Sequence, residues 1–527
     1  MPNKIFNFIN NLSFCKKLFL LFILILSFRL WYGFYSNSFG QDGARDLILM
    51  ESKINKNDWL VGYGPKASVG DFYLPPLYYQ VHLVLSFLSA NNPFVMKFFV
   101  IFIESATPIF LVLLFSELGF INQRWVVAFL YGLMPIPTIF GSFAWNPNTI
   151  PFFSTLALYS WVRIIKVLTS NKGIIGWEPI VGLLSVAISV HFHYQAVIII
   201  PFALMILVWS FWKNISSRKY WVIGILLSLL TLFPYILIEI ENSWNNTNQI
   251  INYFTGEHSR YYDRVSKPDY LLTFFPSFFE RVLTGTNFYF LYFGRLIFFI
   301  GGITLFIKSI GSRKNNILHL YLGIYFFLLL IVLRFYKGDK LDYYLSTLYI
   351  FPSFLLVYLF EKYKKIFFIV ILFIIFHAGF YYGKIKAKDG YGDLKSSVSF
   401  IANEINRNEV RYIFYNDDDI NTYIYGLEKI ENLKINKDSL FVVEICDQAR
   451  PCIWNGELIC VHSRAYTYAS LIKSSGEYLN KSFIKTNDKK TILIGEFKVK
   501  PNNSHYRLYS NDLSYGTDTI YSSFYEE

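Results

Sequence analysis

The chain of 527 residues is 54% hydrophobic and 20% aromatic, yet only 16% charged, with a formal net charge of +12. Soluble domains carry about 25% charged residues, so the composition excludes an ordinary soluble enzyme and predicts a polytopic α-helical membrane protein. The positive balance does not predict a nucleic-acid partner, because Lys and Arg of membrane proteins gather in cytoplasmic loops and set orientation.

The first apolar run, 18–28, is flanked by Lys4, Lys16 and Lys17, as in the basic start of a signal peptide. No small-residue cleavage site follows and many further spans do, which predicts an uncleaved first helix. Runs long enough to cross about 30 Å of hydrocarbon fall near 18–35, 94–117, 125–143, 149–168, 174–191, 195–212, 220–238, 286–307, 317–335, 343–360 and 366–382. With a cytoplasmic N-terminus, the basic loops at Arg124, 166–172, 213–219, 308–314 and 362–365 all lie inside, as the charge rule requires. The run from Pro75 to Ser89 breaks this pattern if it crosses. It is therefore read as a helix in or dipping into the outer interface, giving eleven spans, or twelve to thirteen if short irregular helices are counted.

This topology places 36–93, 145–148, 191–194, 239–285, 334–344 and everything beyond about 384 on the outer side. After 384 the chain turns polar. Strand-like runs at 411–415, 440–445, 458–462 and 491–499 alternate with helix-like stretches at 395–405 and 466–476, predicting a small α/β domain. The expected organisation is a transmembrane module over 1–383, with outer loops 36–93 and 239–285, and a soluble extracytoplasmic α/β domain over 384–527. The expected location is a bacterial inner (cell) membrane. Cys446, Cys452 and Cys460 lie in the outer domain, where two of them can form a bridge in an oxidising compartment. Their spacing, with His462, is poor for zinc. Asn416-Asp417-Asp418-Asp419 invites a metal or sugar, although turns after strands favour Asn and Asp in any case.

The most suggestive motif is Gln41-Asp42-Gly43-Ala44-Arg45-Asp46, just beyond the first run. A helical turn there sets both carboxylates on one face with Arg45 alongside. Such carboxylates can activate an acceptor hydroxyl as a general base, hold a metal, or merely solvate a loop. Downstream, the Gly- and Pro-rich segment from Gly62 to Pro76, ending in Leu77-Tyr78-Tyr79, marks a shaped turn rather than a linker. Its aromatics suit the apolar faces of sugar rings, and an interfacial aromatic belt accounts for the tyrosines as well.

An acidic motif after the first helix followed by Pro75-Pro76-Leu77-Tyr78-Tyr79 resembles the C-type (GT-C) glycosyltransferases, in particular the family that groups protein O-mannosyltransferases with the lipid A aminoarabinose transferase. The Trp145-Asn146-Pro147-Asn148 turn, the His191-Phe192-His193-Tyr194 turn and Tyr343-Tyr344-Leu345 before Pro352 are similar to that group's outer-face elements. The resemblance implies transfer of a sugar from a polyprenyl-phosphate donor to a hydroxyl of a glycolipid, glycan or protein on the outer face of the lipid bilayer. Carried over, Asp42 matches the acidic residue that acts as general base or acceptor binder. Asp46 is a weaker match, because the mannosyltransferases have adjacent acidic residues. The cation that precedes the family's proline pair is Leu74 here.

A departing lipid phosphate needs cations or strong donors. The sequence offers Lys66, Arg334, Lys337, Lys340, Tyr343 and Tyr344, with Arg260 and Arg264 in the 239–285 loop; Lys337-Gly338-Asp339-Lys340, directly before the tyrosine pair, is the preferred phosphate site, with a short solvated loop as the alternative. Arg295 lies inside a predicted span, where charges are costly and usually functional or paired. It reaches toward a lipid phosphate or neutralises Glu104, which also lies seven residues from Lys97 on one helix face. Arg45, Tyr78, Tyr79, Asn146, His191 and His193 are the expected acceptor or sugar contacts, with the histidines otherwise simple hydrogen-bonded tips. No cofactor is expected and no divalent metal is indicated. A lipid-linked glycan transporter or flippase, an oligosaccharyltransferase or ligase using a lipid diphosphate, and a non-enzymatic glycan-binding protein remain open.

Overall fold

The computed structural model describes residues 12–36, 39, 41–67, 72–170, 173–255, 270–285, 293–310, 317–334 and 342–384, with shorter stretches between 391 and 497. The chain is largely helical. Six helices among the described residues are long and apolar enough to cross a membrane, and eight if each of two bent pairs is one span. The helix Phe14–Ser36 has 23 residues, about 35 Å at 1.5 Å per residue, which exceeds the hydrocarbon thickness.

Every one of the eleven predicted runs contains helix, but several are shorter or broken where a continuous span was expected, and proline is the main physical reason. A proline ring removes a backbone donor and clashes with the preceding turn, so it starts a helix more readily than it continues one. The 125–143 run divides at Met134 into Arg124–Leu133 and Pro135–Phe140. Ile215–Thr231 and Phe233–Glu241 meet at 46°, and Asp342–Leu348 and Phe351–Phe360 at 50°. In each pair, proline occupies the first turn of the second helix. Glu178–Phe192 and Ile317–Leu333 are apolar but shorter than 18 residues. The interfacial run is a helix, Leu77–Leu88.

The chain divides into two compact units. The first comprises 1–35, 59–85 and 94–386. Its core packs Trp161, Trp221, Phe115, Phe275, Phe278 and Phe279 at full burial, and the Trp221 indole donates to Ser210 Oγ at 3.0 Å. The 62–76 segment is held as a hairpin-like turn. Gly64 N–H donates to Leu74 O at 2.7 Å and Leu74 N–H to Pro65 O at 2.9 Å. A Cβ on Gly64 would lie 2.5 Å from Pro75 O, so only glycine permits this approach.

The second unit comprises 36–58, 86–93 and 387–527, so the acidic motif belongs with the C-terminal region. Phe39 packs on Tyr391 and Tyr425 at 5.5 and 5.3 Å, and Lys429 pairs with Glu51. Its strands are β1 (Val410–Tyr415), β2 (Phe441–Asp447), β3 (Pro451–Trp454), β4 (Glu457–Cys460), β5 (Tyr478–Thr486) and β6 (Lys490–Phe497). Four of them form a sheet in the order β1-β2-β6-β5, with β1 parallel to β2 and the other pairs antiparallel. β3 and β4 form a separate hairpin. The helix expected at 466–476, the Asp417–Asp419 run and the side chains of Cys446, Cys452 and Cys460 lie outside the described residues.

Candidate functional site

The acidic motif opens a helix, Gln41–Asn55, with Asp42 in its first turn, where the helix dipole favours a carboxylate. Helical spacing lets Arg45 serve both acids. Its Nη1 donates to Asp42 Oδ1 at 2.7 Å, and its Nε and Nη2 to Asp46 Oδ1 at 2.9 and 2.7 Å. The two carboxylates differ in access, since the Asp42 side chain is 45% exposed and that of Asp46 4%. Asp42 can meet a substrate while Arg45 fixes its orientation. Asp46 is buried and holds the other side of Arg45.

In the first unit, three segments far apart in sequence form an aromatic junction. Trp145 meets Tyr343 at 4.3 Å, and Tyr343 meets Tyr344 at 4.0 Å. The His193 ring lies edge-on to Tyr343 and Tyr344 at 6.1 and 5.5 Å. Gln195 fixes the arrangement by donating to Tyr343 O at 3.0 Å and to Ser346 Oγ at 2.7 Å. His193 Nδ1 accepts the Gln195 N–H at 3.3 Å, capping the next helical turn. Burial pushes the His193 imidazole down to about 4, so it is neutral at neutral pH.

His191, fully buried, is a tie between helices. Its Nδ1 accepts from Leu77 N–H at 3.4 Å, which leaves the ring proton on Nε2 to donate to Thr231 Oγ1 at 3.0 Å. The neighbouring Asn146 donates to Phe192 O at 2.6 Å. Tyr78 packs on Phe192 at 5.8 Å and beside Tyr79. Tyr78, Tyr79, Asn146 and His191 are thus all buried on the same group of segments. Lys66 lies in the hairpin-like turn, bridged to Tyr73. Lys337 and Lys340 lie outside the described residues.

Several polar groups of this unit escaped the sequence reading. Arg281 forks onto Asp342, with Nε 2.9 Å from Oδ2 and 3.1 Å from Oδ1, immediately before Tyr343. Tyr63 donates to Glu239 Oε1 at 2.5 Å. Burial, reinforced by that carboxylate, raises the Tyr63 hydroxyl above its usual value. Glu104 faces neither Arg295 nor Lys97. Its partner is Arg29, at 3.6 Å with both side chains buried, and Arg295 donates to Ser277 Oγ at 3.0 Å. Spacing within one helix could suggest Lys97, but helix Phe14–Ser36 lies against helix Val95–Ser105, as the Phe22–Phe102 and Phe34–Phe98 contacts show. That proximity brings the Arg29 charge across.

No family model and no curated protein match the sequence. Among solved structures, the fold is similar to ArnT from Cupriavidus metallidurans in the apo state. The TM-score is 0.50 at 11% identity, covering 90% of this chain and 97% of that one. It is also similar to the Archaeoglobus fulgidus oligosaccharyltransferase in complex with zinc and sulfate. There the TM-score is 0.51 at 11% identity, covering 92% of this chain and 72% of that one. At such identity the likeness concerns the fold alone.

Proposed function

We propose that this protein is a membrane glycosyltransferase that moves a sugar from a polyprenyl-phosphate donor to a hydroxyl of a glycolipid, glycan or protein acceptor. The observation that carries the reading is the GT-C-like fold over nine tenths of the chain. The partly exposed Asp42, held by Arg45, supplies a base where the resemblance expects one. In this reading the Asp42 carboxylate takes the acceptor proton as the acceptor oxygen bonds to the anomeric carbon. The bond from that carbon to the phosphate oxygen breaks, and its electron pair leaves on the phosphate. One displacement inverts the anomeric carbon. The active face is extracytoplasmic, the N-terminus cytoplasmic, and the C-terminal region a separate α/β domain on the active side.

The test is to incubate the purified protein with a panel of polyprenyl-phosphate sugars and follow donor consumption. Transfer or slow hydrolysis of one donor is expected. Movement of a lipid-linked glycan across liposomes with no donor consumed assigns a transporter instead. The likeness to an oligosaccharyltransferase favours a second reading, in which the donor is a lipid diphosphate. Turnover of a lipid-diphosphate oligosaccharide, abolished by excess chelator, selects that reading.

A further inference from the structure

Lys97 lies in helix Val95–Ser105 and is 4% exposed. Its Nζ has no hydrogen-bond partner among the described residues and lies 5.9 Å from the centroid of the Phe34 ring. Lys97 stands in the first turn of that helix, and charged side chains within membrane segments are rare and are read as functional by default. Arg29 deepens the imbalance. It is fully buried, its guanidinium nitrogens make no hydrogen bond among the described residues, and Glu104 stands off at 3.6 Å. Glu104 is itself engaged by the Phe152 N–H at 2.9 Å and by Thr107.

Both cations reach one turn of the chain. A Cβ built on Gly141 would fall 2.5 Å from Arg29 Nη1, and one built on Gly33 would fall 3.1 Å from Ser142 O and 3.4 Å from Lys97 Cε. Those atoms would also meet Pro137 O at 2.6 Å and Ile101 Cδ1 at 2.9 Å, so the two glycines let this turn pack closely against the cations. Just beyond this turn, Ser142 Oγ, Asn148 Oδ1 and Thr149 Oγ1 are also buried and unpartnered among the described residues. Two cations against one carboxylate leave a net positive charge among polar groups without internal partners. A phosphate oxyanion satisfies that charge, and its several oxygens match guanidinium and ammonium donors.

The direction of entry is also indicated. Phe34, beside Lys97, is 47% exposed, and Phe98 and Phe102 on the Lys97 helix are 44% and 55% exposed. These rings give the described surface on this side an apolar character. We propose that Arg29 and Lys97 form an oxyanion site that takes the phosphate of a lipid, admitted past Phe34. The site does not depend on the transferase reading, since it is defined by binding alone.

The experiment measures binding to the full chain in detergent by native mass spectrometry and titration. The three probes are a polyprenyl monophosphate, phosphatidylglycerol and inorganic phosphate, applied to wild type, Lys97→Met and Lys97→Arg. Lys97→Met removes a buried charge, so insertion and the melting temperature should be retained, and Lys97→Arg keeps the charge. Wild type should bind at least one of the two lipids. Lys97→Met should weaken that binding about ten- to a hundredfold, as expected for a lost charge-assisted contact, and Lys97→Arg should restore most of it. Which lipid responds identifies the source of the phosphate. Equal lipid binding by wild type and Lys97→Met overturns the proposal, as does a response to inorganic phosphate alone. Absence of sugar transfer with Lys97-dependent lipid binding intact removes the transferase reading and leaves this site standing.

Discussion

The acidic helix Gln41–Asn55 and the junction around Tyr343 are built in opposite ways. The helix draws its constellation from five consecutive residues, Asp42 through Asp46, and holds it with one arginine. The junction draws on residues near 145, 193, 195 and 343, and holds them by ring contacts and the Gln195 amide. The first presents an accessible charge, whereas the second is mostly buried and carries neutral polar groups. Under the proposed function, this difference suits the helix to proton transfer and the junction to shape. Breaking each should therefore damage a different property.

The largest effect is expected from Asp42→Asn. It keeps the helix and its size but removes the base, so kcat for transfer should fall about 10²- to 10⁴-fold, the usual contribution of general base catalysis. The melting temperature should stay near wild type, because the side chain is 45% exposed. Full transferase activity in a correctly inserted variant would falsify the role of Asp42. Asp46→Asn reverses the profile, because the buried Asp46 steadies Arg45.

Next in size is Arg281→Met. It strands Asp342 in a largely buried setting, and breaking buried pairs costs about 3–5 kcal/mol. The Arg281 and Asp342 side chains keep 22% and 16% exposure, so roughly 2–3 kcal/mol is expected once solvent screening is allowed for. A clear drop in melting temperature checks it. Gln195→Leu is the milder test of the junction. It removes two donated hydrogen bonds and should cost about 1–3 kcal/mol, with KM for the sugar donor rising more than kcat falls. An unchanged KM and melting temperature would mean that Gln195 does not position the tyrosines.

The same contrast explains what was legible in the sequence. Asp42, Arg45 and Asp46 could be read directly, because helical spacing alone sets which side chains meet. The apolar runs were legible because span length is a local property. Arg29–Glu104 and Arg281–Asp342 were not legible: their partners are 75 and 61 residues apart, and only helix packing joins them. Prolines 234 and 352 were visible in the sequence, but the bends of 46° and 50° that begin there depend on neighbours that take up the freed backbone groups. His191 and His193 were found as a pair, yet their roles diverge. Positions two apart where a helix ends point to different neighbours, so one ring ties Leu77 to Thr231 and the other caps Tyr194–Ile199.

The smallest and most specific test is the pH dependence of His193. Its folded value of about 4 lies below the ordinary 6.5, so the unfolded chain binds the proton more readily. Stability from this group is constant above about 6.5, falls as pH drops from there toward 4, and levels off below. The slope in that window is at most about 1.4 kcal/mol per pH unit. His193→Gln keeps a side-chain acceptor for the Gln195 N–H and cannot titrate. Melting curves of the detergent-solubilised protein between pH 4 and 7 should therefore be flatter for His193→Gln than for wild type, with the two converging in slope above pH 7. A His193 that acts on substrate gives a different signature, namely an activity limb near its folded value of about 4 that disappears in the variant. Loss of such a limb would move His193 from shaping the junction to taking part in the chemistry.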